Sequence, residues 1–421
     1  MPDRKSGPEI FEIDSIQLPE FGKFDLPGGS EVHYLQTAYS PVVRMEIIID
    51  AGRLKEDFPL QSRATAALLK DGSKNFSREQ ISEIADRTGG SISITAGLEF
   101  ASILIHCLES QIDKILEIVG DILLYPSYSQ KHLRKYIQRR KNRLKEDLSI
   151  NEVLAYRKLT EELFGPNHPY GYNSTANKYD RISLSTLKEF HQMHYRSGNM
   201  KVFLSCQHPL EIGEKLNQLW SNIPAGYTLD NTFETPAIAG GKTEVKAANY
   251  AQASIRVGKK LFPRNHPDFA GMYFLNTVLG GFFGSRLTAE VREKQGLTYN
   301  VFSTIETFKM GGFFLAGCET KILNVDRVVD LLFLEFEKMR MGLVPDPELQ
   351  LVKNYLFGFF TSMLDGPVNT MELYKLLITE GGNLESFDSM IEDFRKMDGN
   401  ALVNLANKYL KTDEMRLVIV R

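Results

Sequence analysis

Short β-type runs and amphipathic helical stretches alternate along the chain in a repeating order. Residues 31–36 and 42–50 are rich in β-formers, and Ala51-Gly52 ends the second run. A helix over 63–69 is closed by Asp71-Gly72, and Ser77 with Gln80 three residues on has the form of a capping box, with Gly89-Gly90 closing that helix. Residues 91–96 and 100–108 alternate as two antiparallel strands do, and 112–124 carries an apolar helical stripe stopped by Pro126. Ser129 is the expected cap of a long basic helix over 132–146, and Asn151 the expected cap of the next. The stretch FGPNHPYGY at 164–172 is a turn-rich loop; a helix starting at Ser185 runs to Tyr195, and 200–206 is an apolar strand.

Past Trp220 the pattern lapses. Residues 221–241 are rich in Pro, Gly and Thr and weakly periodic, as a linker is. The order then resumes: a broken strand over 245–257, helices over 268–279 and 285–294, and strands over 299–307 and 311–319. Helices over 325–339, 347–362, 370–379 and 384–394 and a closing strand over 415–420 complete it. The strand MKVFLSC after Asn199 and MRLVIV after Glu414 occupy matching places in the two halves. The expected architecture is α+β with two homologous domains, residues 1–220 and 242–421, facing one another. Each is a mostly antiparallel sheet covered on one side by helices.

Composition narrows the classes. Fifty basic and 53 acidic side chains in 421 residues leave a net charge of -3, which does not favour nucleic acid or an anionic membrane. Cys107, Cys206 and Cys318 are scattered in apolar runs and read as buried thiols in a reducing compartment, not as a disulfide framework. No apolar run follows the charges of MPDRKSGPEIFEID, so no signal peptide is visible and a cytoplasmic location is expected, a processed precursor being left open. No stretch is long and apolar enough to span a membrane.

Candidate chemistry is sparse. The first helix, within QSRATAALLKDGSKNFS at 61–77, has the outline of an active-site helix before a glycine turn, yet no histidine or acid lies between Ser62 and Lys70. His191 and His194 share a helical face, but the neighbouring Phe190, Met193 and Tyr195 favour packing over zinc ligation. His106, His168 and His266 lack a second histidine at a useful spacing. Gly280, Gly281 and Gly284 match neither nucleotide-binding glycine pattern, and the cations of the basic helix read as a solvated face. Arg292 and Tyr299 stand out: a guanidinium late on a helix and a phenol at the start of the next strand can clamp a peptide carbonyl or stabilise an oxyanion. A structural role, with Arg292 paired to Glu290 or Glu293, is the alternative.

These motifs together resemble the insulinase/pitrilysin superfamily of inverted-zincin metallopeptidases, in its short, mitochondrial-processing-peptidase-like branch. The resemblance rests on AGRLKED at 51–57, the 68–99 stretch LLKDGSKNFSREQISEIADRTGGSISITAGLE, FGPNHPYGYNST at 164–175, SLSTLKEFHQMHYRSGNMKV, GGFFGSRLTAEVREKQGLTYNVFS and the closing strand. In that family the helix before the glycine turn carries H-x-x-E-H. Counted back from Gly72, its first histidine, glutamate and second histidine fall on Arg63, Ala66 and Ala67. The later glutamate ligand falls near Asn142 or Arg143, with Glu146 the nearest acid.

The resemblance therefore implies a member without the zinc motif, holding no metal or cofactor of its own. Arg292 and Tyr299 match the arginine and tyrosine that family members place opposite the zinc. It further implies a non-catalytic subunit of a heterodimeric zinc endopeptidase. A homologous zinc-bearing subunit would be the partner and peptides or unfolded segments the substrate, with Gly311-Gly312 and their strand offering an edge to an extended peptide. The rival is a structural or binding protein of the same fold with no part in hydrolysis, and a homodimer of the isolated chain also remains open.

Overall fold

The protein is described from a computed structural model covering residues 15–229, 231–234, 236, 239–247 and 252–421. It parts into two compact units. Of the described residues, the larger holds those within 19–260, 317–325 and 413–421, and the smaller those within 15–18, 261–316 and 326–412.

The first sheet has six strands: β1 (Gly22–Leu26), β2 (Ser30–Gln36), β3 (Val42–Ile49), β4 (Ser91–Ala96), β5 (Ala101–Leu108) and β6 (Met200–Cys206). Their order is β1-β2-β6-β3-β5-β4, with β2 and β6 parallel and the other neighbours antiparallel. β5 alternates as its sequence predicts. Ala101, Ile103, Ile105 and Cys107 are buried, while Ser102, Leu104 and His106 are half-buried. Eight helices accompany this sheet: α1 (Gln61–Leu69), α2 (Arg78–Arg87), α3 (Ile112–Leu124), α4 (Gln130–Asp147), α5 (Asn151–Phe164), α6 (Ala176–Asp180), α7 (Leu184–His194) and α8 (Pro209–Trp220). Residues from α1, α3, α7 and α8 share one apolar core with the strands, including Leu68, Ile115, Leu187 and Trp220.

The second sheet comprises β7 (Gly241–Val245), β8 (Ala253–Leu261), β9 (Val301–Phe308), β10 (Gly311–Thr320) and β11 (Arg416–Val420), in the order β7-β11-β8-β10-β9. The chain passes from one unit to the other within β10. β11 runs parallel to β7 and antiparallel to β8, as β6 runs parallel to β2 and antiparallel to β3. Without β1, the first sheet repeats this order strand for strand, so the matching of the two closing strands has a topological counterpart. The expected break within 245–257 falls partly on residues 248–251, which lie outside the described residues.

The later helices are α9 (Phe269–Asn276), α10 (Val325–Met341), α11 (Asp346–Met363), α12 (Gly366–Thr379), α13 (Leu384–Lys396) and α14 (Gly399–Tyr409). Phe360, Phe387 and Phe394 cluster among them, with ring centroids 5.8 and 5.9 Å from Phe360. Two segments predicted as ordinary helix turn out π-helical, Thr277–Gly281 and Thr288–Lys294. Cys107, Cys206 and Cys318 are all buried free thiols.

Two caps differ from expectation. Ser129 stands at the N-cap of α4 without a capping side-chain bond, and α5 is preceded by Ile150 at its N-cap. Asn151 instead donates its amide to the Gln252 carbonyl at 2.7 Å, which takes its side chain away from its own helix end. Ser77 behaves as read: its hydroxyl accepts from the Gln80 N–H while the Gln80 side chain accepts from the Ser77 N–H.

Candidate functional site

The helix that resembles a metal-binding helix is anchored at its N-terminus by an acid outside it. The backbone N–H groups of Leu60 and Ser62 each donate to the Glu56 carboxylate at 3.0 Å, and the Ser62 hydroxyl does so at 2.7 Å. Glu56 thereby satisfies donors that a helix start leaves open and adds negative charge where the helix dipole favours it. Tyr172, from the turn-rich loop, donates its hydroxyl to the same carboxylate. Burial raises the Glu56 carboxyl above its ordinary range, while the Tyr172 and Ser62 hydrogen bonds act in the opposite direction. Leu60 sits in the left-handed region at φ 75°, a conformation that side-chain-bearing residues seldom adopt, and its own side chain is buried.

The loop is clamped in turn. The Arg53 guanidinium lies 3.4 Å from the Tyr172 ring centroid and donates to the carbonyls of Pro169 and Tyr172 at 2.8 and 2.7 Å. Lys55 is buried and meets Asp50 at 3.1 Å and the Leu229 carbonyl at 2.8 Å. AGRLKED and FGPNHPYGY, far apart in sequence, thus form one device that fixes the start of α1. Sequence reading missed Glu56; the signal was two cations and two acids packed into seven residues after a strand.

α1 itself carries no histidine, cysteine or carboxylate. Arg63 is exposed, Ala66 is fully buried and Ala67 is half-buried. On α4, Asn142 accepts from Gln138 at 2.9 Å, and Arg143 pairs with Glu146 at 3.5 Å and Asp147 at 3.0 Å. The nearest acid, Glu146, is therefore engaged by an arginine of its own helix. No grouping of three or more His, Cys, Asp or Glu side chains suited to a metal occurs among the described residues. Catalytic zinc needs several such donors and an open position, and Arg63, Ala66, Ala67 and Asn142 or Arg143 do not fit it.

His191 and His194 are core histidines. His191 stacks on Tyr195 with ring centroids 4.7 Å apart and meets the Tyr128 ring edge-on at 6.0 Å, and its burial lowers its pKa to about 4. His194 shares a hydrogen bond with the Thr228 hydroxyl at 3.3 Å and is lowered to about 4, chiefly by burial and then by Lys55. His168 accepts from the Tyr170 N–H at 3.1 Å and is lowered to about 4 by burial, with a further contribution from Lys260.

The second motif lies in the smaller unit. Arg286 makes a two-pronged pair with Glu348 of α11, both bonds 2.8 Å, which ties down the start of the helical stretch carrying Arg292. Gly280 precedes it where an added Cβ would lie 2.5 Å from the Ser303 nitrogen on β9, so the approach to that strand requires glycine. Arg292 lies 4.9 Å over the exposed Phe283 ring and 3.2 Å from Glu293, with its side chain 39% exposed. The pairing with Glu293 weighed from sequence is therefore present; Glu290 instead holds Lys294 and Gln295. Tyr299 is 90% exposed and has no partner among the described residues.

Gly311 and Gly312 are placed differently from expectation. β10 has a neighbour on each side, β8 and β9, so it offers no edge; among the described residues the edge strands of this sheet are β7 and β9, the latter beginning just after Tyr299. A Cβ on Gly312 would stand 2.4 Å from the Glu306 carbonyl, and Gly311 has φ 139°, so the pair serves the β9–β10 turn.

Comparison with known proteins fits this distribution of chemistry. Residues 181–356, which include Arg292 and Tyr299, match the peptidase M16 inactive domain. The chain is 22% identical over 365 residues to the non-peptidase homologue YmxG of Helicobacter pylori, spanning 84% of this chain and 83% of that one. The chain is thus similar, over part of its length, to the peptidase M16 inactive domain and, over most of it, to a relative named a non-peptidase homologue. A crystal structure of an M16 inactive domain from Pseudomonas fluorescens superposes with a TM-score of 0.88 at 21% identity, covering 96% of this chain and 98% of that one, and shares its mixed α+β fold. Human cytochrome b-c1 complex subunit 2 is 26% identical over 205 residues, 45% of this chain and 42% of that protein. Among the described residues, no helix of this chain is long and apolar enough to cross a membrane.

Proposed function

We propose that this chain is the zinc-free subunit of a heterodimeric metalloendopeptidase and supplies Arg292 and Tyr299 to a site completed by a zinc-bearing homologue. The observation that carries the reading is the state of these two side chains. A phenol 90% exposed and unpartnered among the described residues, seven positions after a partly exposed arginine, sits in a chain whose metal positions hold no ligand. Arg292 would hold the peptide carbonyl, with Phe283 beneath it limiting its range. Tyr299 would donate to the oxygen that becomes negative in the tetrahedral intermediate, a kind of hydrogen bond worth about 3 kcal/mol of transition-state stabilisation. Zinc belongs, in this reading, to the partner.

The test mixes the purified zinc subunit with wild-type, Arg292→Ala or Tyr299→Phe chain and follows peptide cleavage. Each variant is expected to assemble normally and lose about a hundredfold in kcat/KM. Unchanged rates in properly assembled variants would remove both residues from the reaction. That result would favour the second reading, a scaffold subunit of a larger complex, for which the similarity to a cytochrome b-c1 subunit speaks.

A further inference from the structure

A groove between the end of α2 and the first turns of α3 holds charged side chains that the fold does not use. It lies wholly in the larger unit, has a volume of about 640 Å³ and is floored by Phe76, Ile84 and Leu108, the last 44% exposed at the end of β5. Phe76 and Ile84 pack against the apolar core behind them. Arg87, Lys114 and Glu117 stand on its wall. The neighbouring acids are engaged elsewhere: Asp113 meets Lys215 at 2.6 Å, and Glu109 holds His208 at 2.7 Å and the Gln207 N–H at 3.1 Å. The Thr88 hydroxyl is likewise taken, donating to the Ile84 and Ala85 carbonyls. Arg87 reaches Glu83 at 3.4 Å with both side chains largely in water, a pairing worth little. Lys114 and Glu117 share one helical face, three residues apart, yet neither has a hydrogen-bond or ion-pair partner among the described residues.

We propose that this groove binds the C-terminal end of a short peptide whose last residue carries an apolar side chain. Two cations and one acid line it, a balance that suits a terminal carboxylate and disfavours a free ammonium. The apolar floor takes the last side chain, and the volume, in the range of small-ligand sites, admits a few residues and not a folded partner. Glu117 separates a peptide end from other amphipathic carboxylates. A peptide brings backbone N–H groups for Glu117 to accept, whereas a fatty acid brings only hydrocarbon and a second negative charge. Hydrolysis of a peptide bond is the class of reaction that supplies such an end. The groove uses neither Arg292, Tyr299 nor a zinc-bearing partner, and its failure would leave the proposed role of those residues standing.

The experiment uses the intact chain and a fluorescently labelled tetrapeptide ending in leucine with a free carboxylate. Anisotropy titrations should show saturable binding, weakened about tenfold when the terminus is amidated and by a similar factor when serine replaces the leucine. Arg87→Ala and Lys114→Ala should each weaken it about threefold to tenfold, with Lys114→Arg keeping most of the affinity. Glu117→Ala should weaken the peptide, with unlabelled hexanoate competing no worse than it does against wild type. The double variant Lys135→Ala/Lys145→Ala removes two exposed cations from α4, away from the groove, and should bind as wild type does. All substituted residues are exposed, and thermal melts are expected to match across the set. Equal binding of acid and amide, equal binding of the leucine and serine peptides, an equal loss in the control variant, or hexanoate displacing the label from wild type as well as the unlabelled peptide does would each overturn the proposal.

Discussion

The segment around α1 and the segment from Gly280 to Tyr299 differ in how their polar groups are used. Around α1 the polar groups are turned inward: Glu56, Ser62, Tyr172 and Arg53 satisfy one another and hold the helix start in place. In the second segment the anchoring is done by other residues, notably Arg286 with Glu348, while Tyr299 projects unpartnered among the described residues. A scaffold that has lost its chemistry can keep its geometry, because the hydrogen bonds that position a helix need not be those that act on a substrate. A polar side chain left free of structural work is the better candidate for an outside partner.

The contrast breaks most readily at Glu56. Replacing Glu56 with Ala strands the Ser62 N–H and removes the acceptor of two hydroxyls, while the Leu60 N–H keeps the Tyr172 hydroxyl at 3.1 Å, so chemical denaturation should show a loss of about 2–4 kcal/mol. Tyr299→Phe should leave stability within about 0.5 kcal/mol of wild type, as surface changes do. A Glu56→Ala chain as stable as the parent would mean that the inward-turned cluster is not what fixes α1.

Acid should weaken the larger unit next. His191 has a folded pKa of about 4 against an ordinary 6.5, so the unfolded chain takes up its proton first as the pH falls. Stability is complete above about pH 6.5 and is lost progressively toward pH 4, by about 2 kcal/mol at pH 5 from this residue. His194 and His168, lowered to about 4 as well, act in the same direction. Denaturant midpoints measured from pH 7.5 to 4.5 check this, and His191→Phe should flatten the curve. An unchanged slope in that variant would exclude His191 as a source.

A smaller effect is expected from partial restoration of the metal motif. The double variant Arg63→His/Ala67→His places two imidazoles on one helical turn, yet Asn142 and Arg143 supply no third ligand. Metal analysis after gel filtration should find well under one zinc per chain, and stoichiometric retention would show donors that the present account omits. Smallest of all, Arg63→Ala should alter the unfolding free energy by less than about 0.5 kcal/mol, since Arg63 is exposed and engages no acid among the described residues.

Much of this was legible in the chain because local rules agreed with the fold. The capping box at Ser77 and Gln80, the strand alternation of β5 and the apolar stripe of α3 each followed from spacing alone. The duplication was visible only faintly in its closing strands, yet the strand orders of the two sheets match throughout once β1 is set aside. Other features were hidden for physical reasons. The π-helical turns at Thr277–Gly281 and Thr288–Lys294 have no spacing signal that separates them from α-helix. Asn151 looked like a cap until a carbonyl at Gln252, a hundred residues on, claimed its amide. Glu56 belongs to the same class, because one of its partners, Tyr172, comes from a loop more than a hundred residues away. The place of Arg292 and Tyr299 could be named from sequence, whereas their availability required the structure.

The central claim is that Arg292 and Tyr299 act on a substrate held by a zinc-bearing partner. The most direct measurement compares kcat/KM for peptide cleavage by the assembled pair containing wild-type chain with that of the pair containing Arg292→Ala/Tyr299→Phe, assembly being verified by mass. A loss of a hundredfold or more, about 3 kcal/mol or greater, with unchanged assembly is the predicted result. Equal kcat/KM for the two assembled pairs would contradict it.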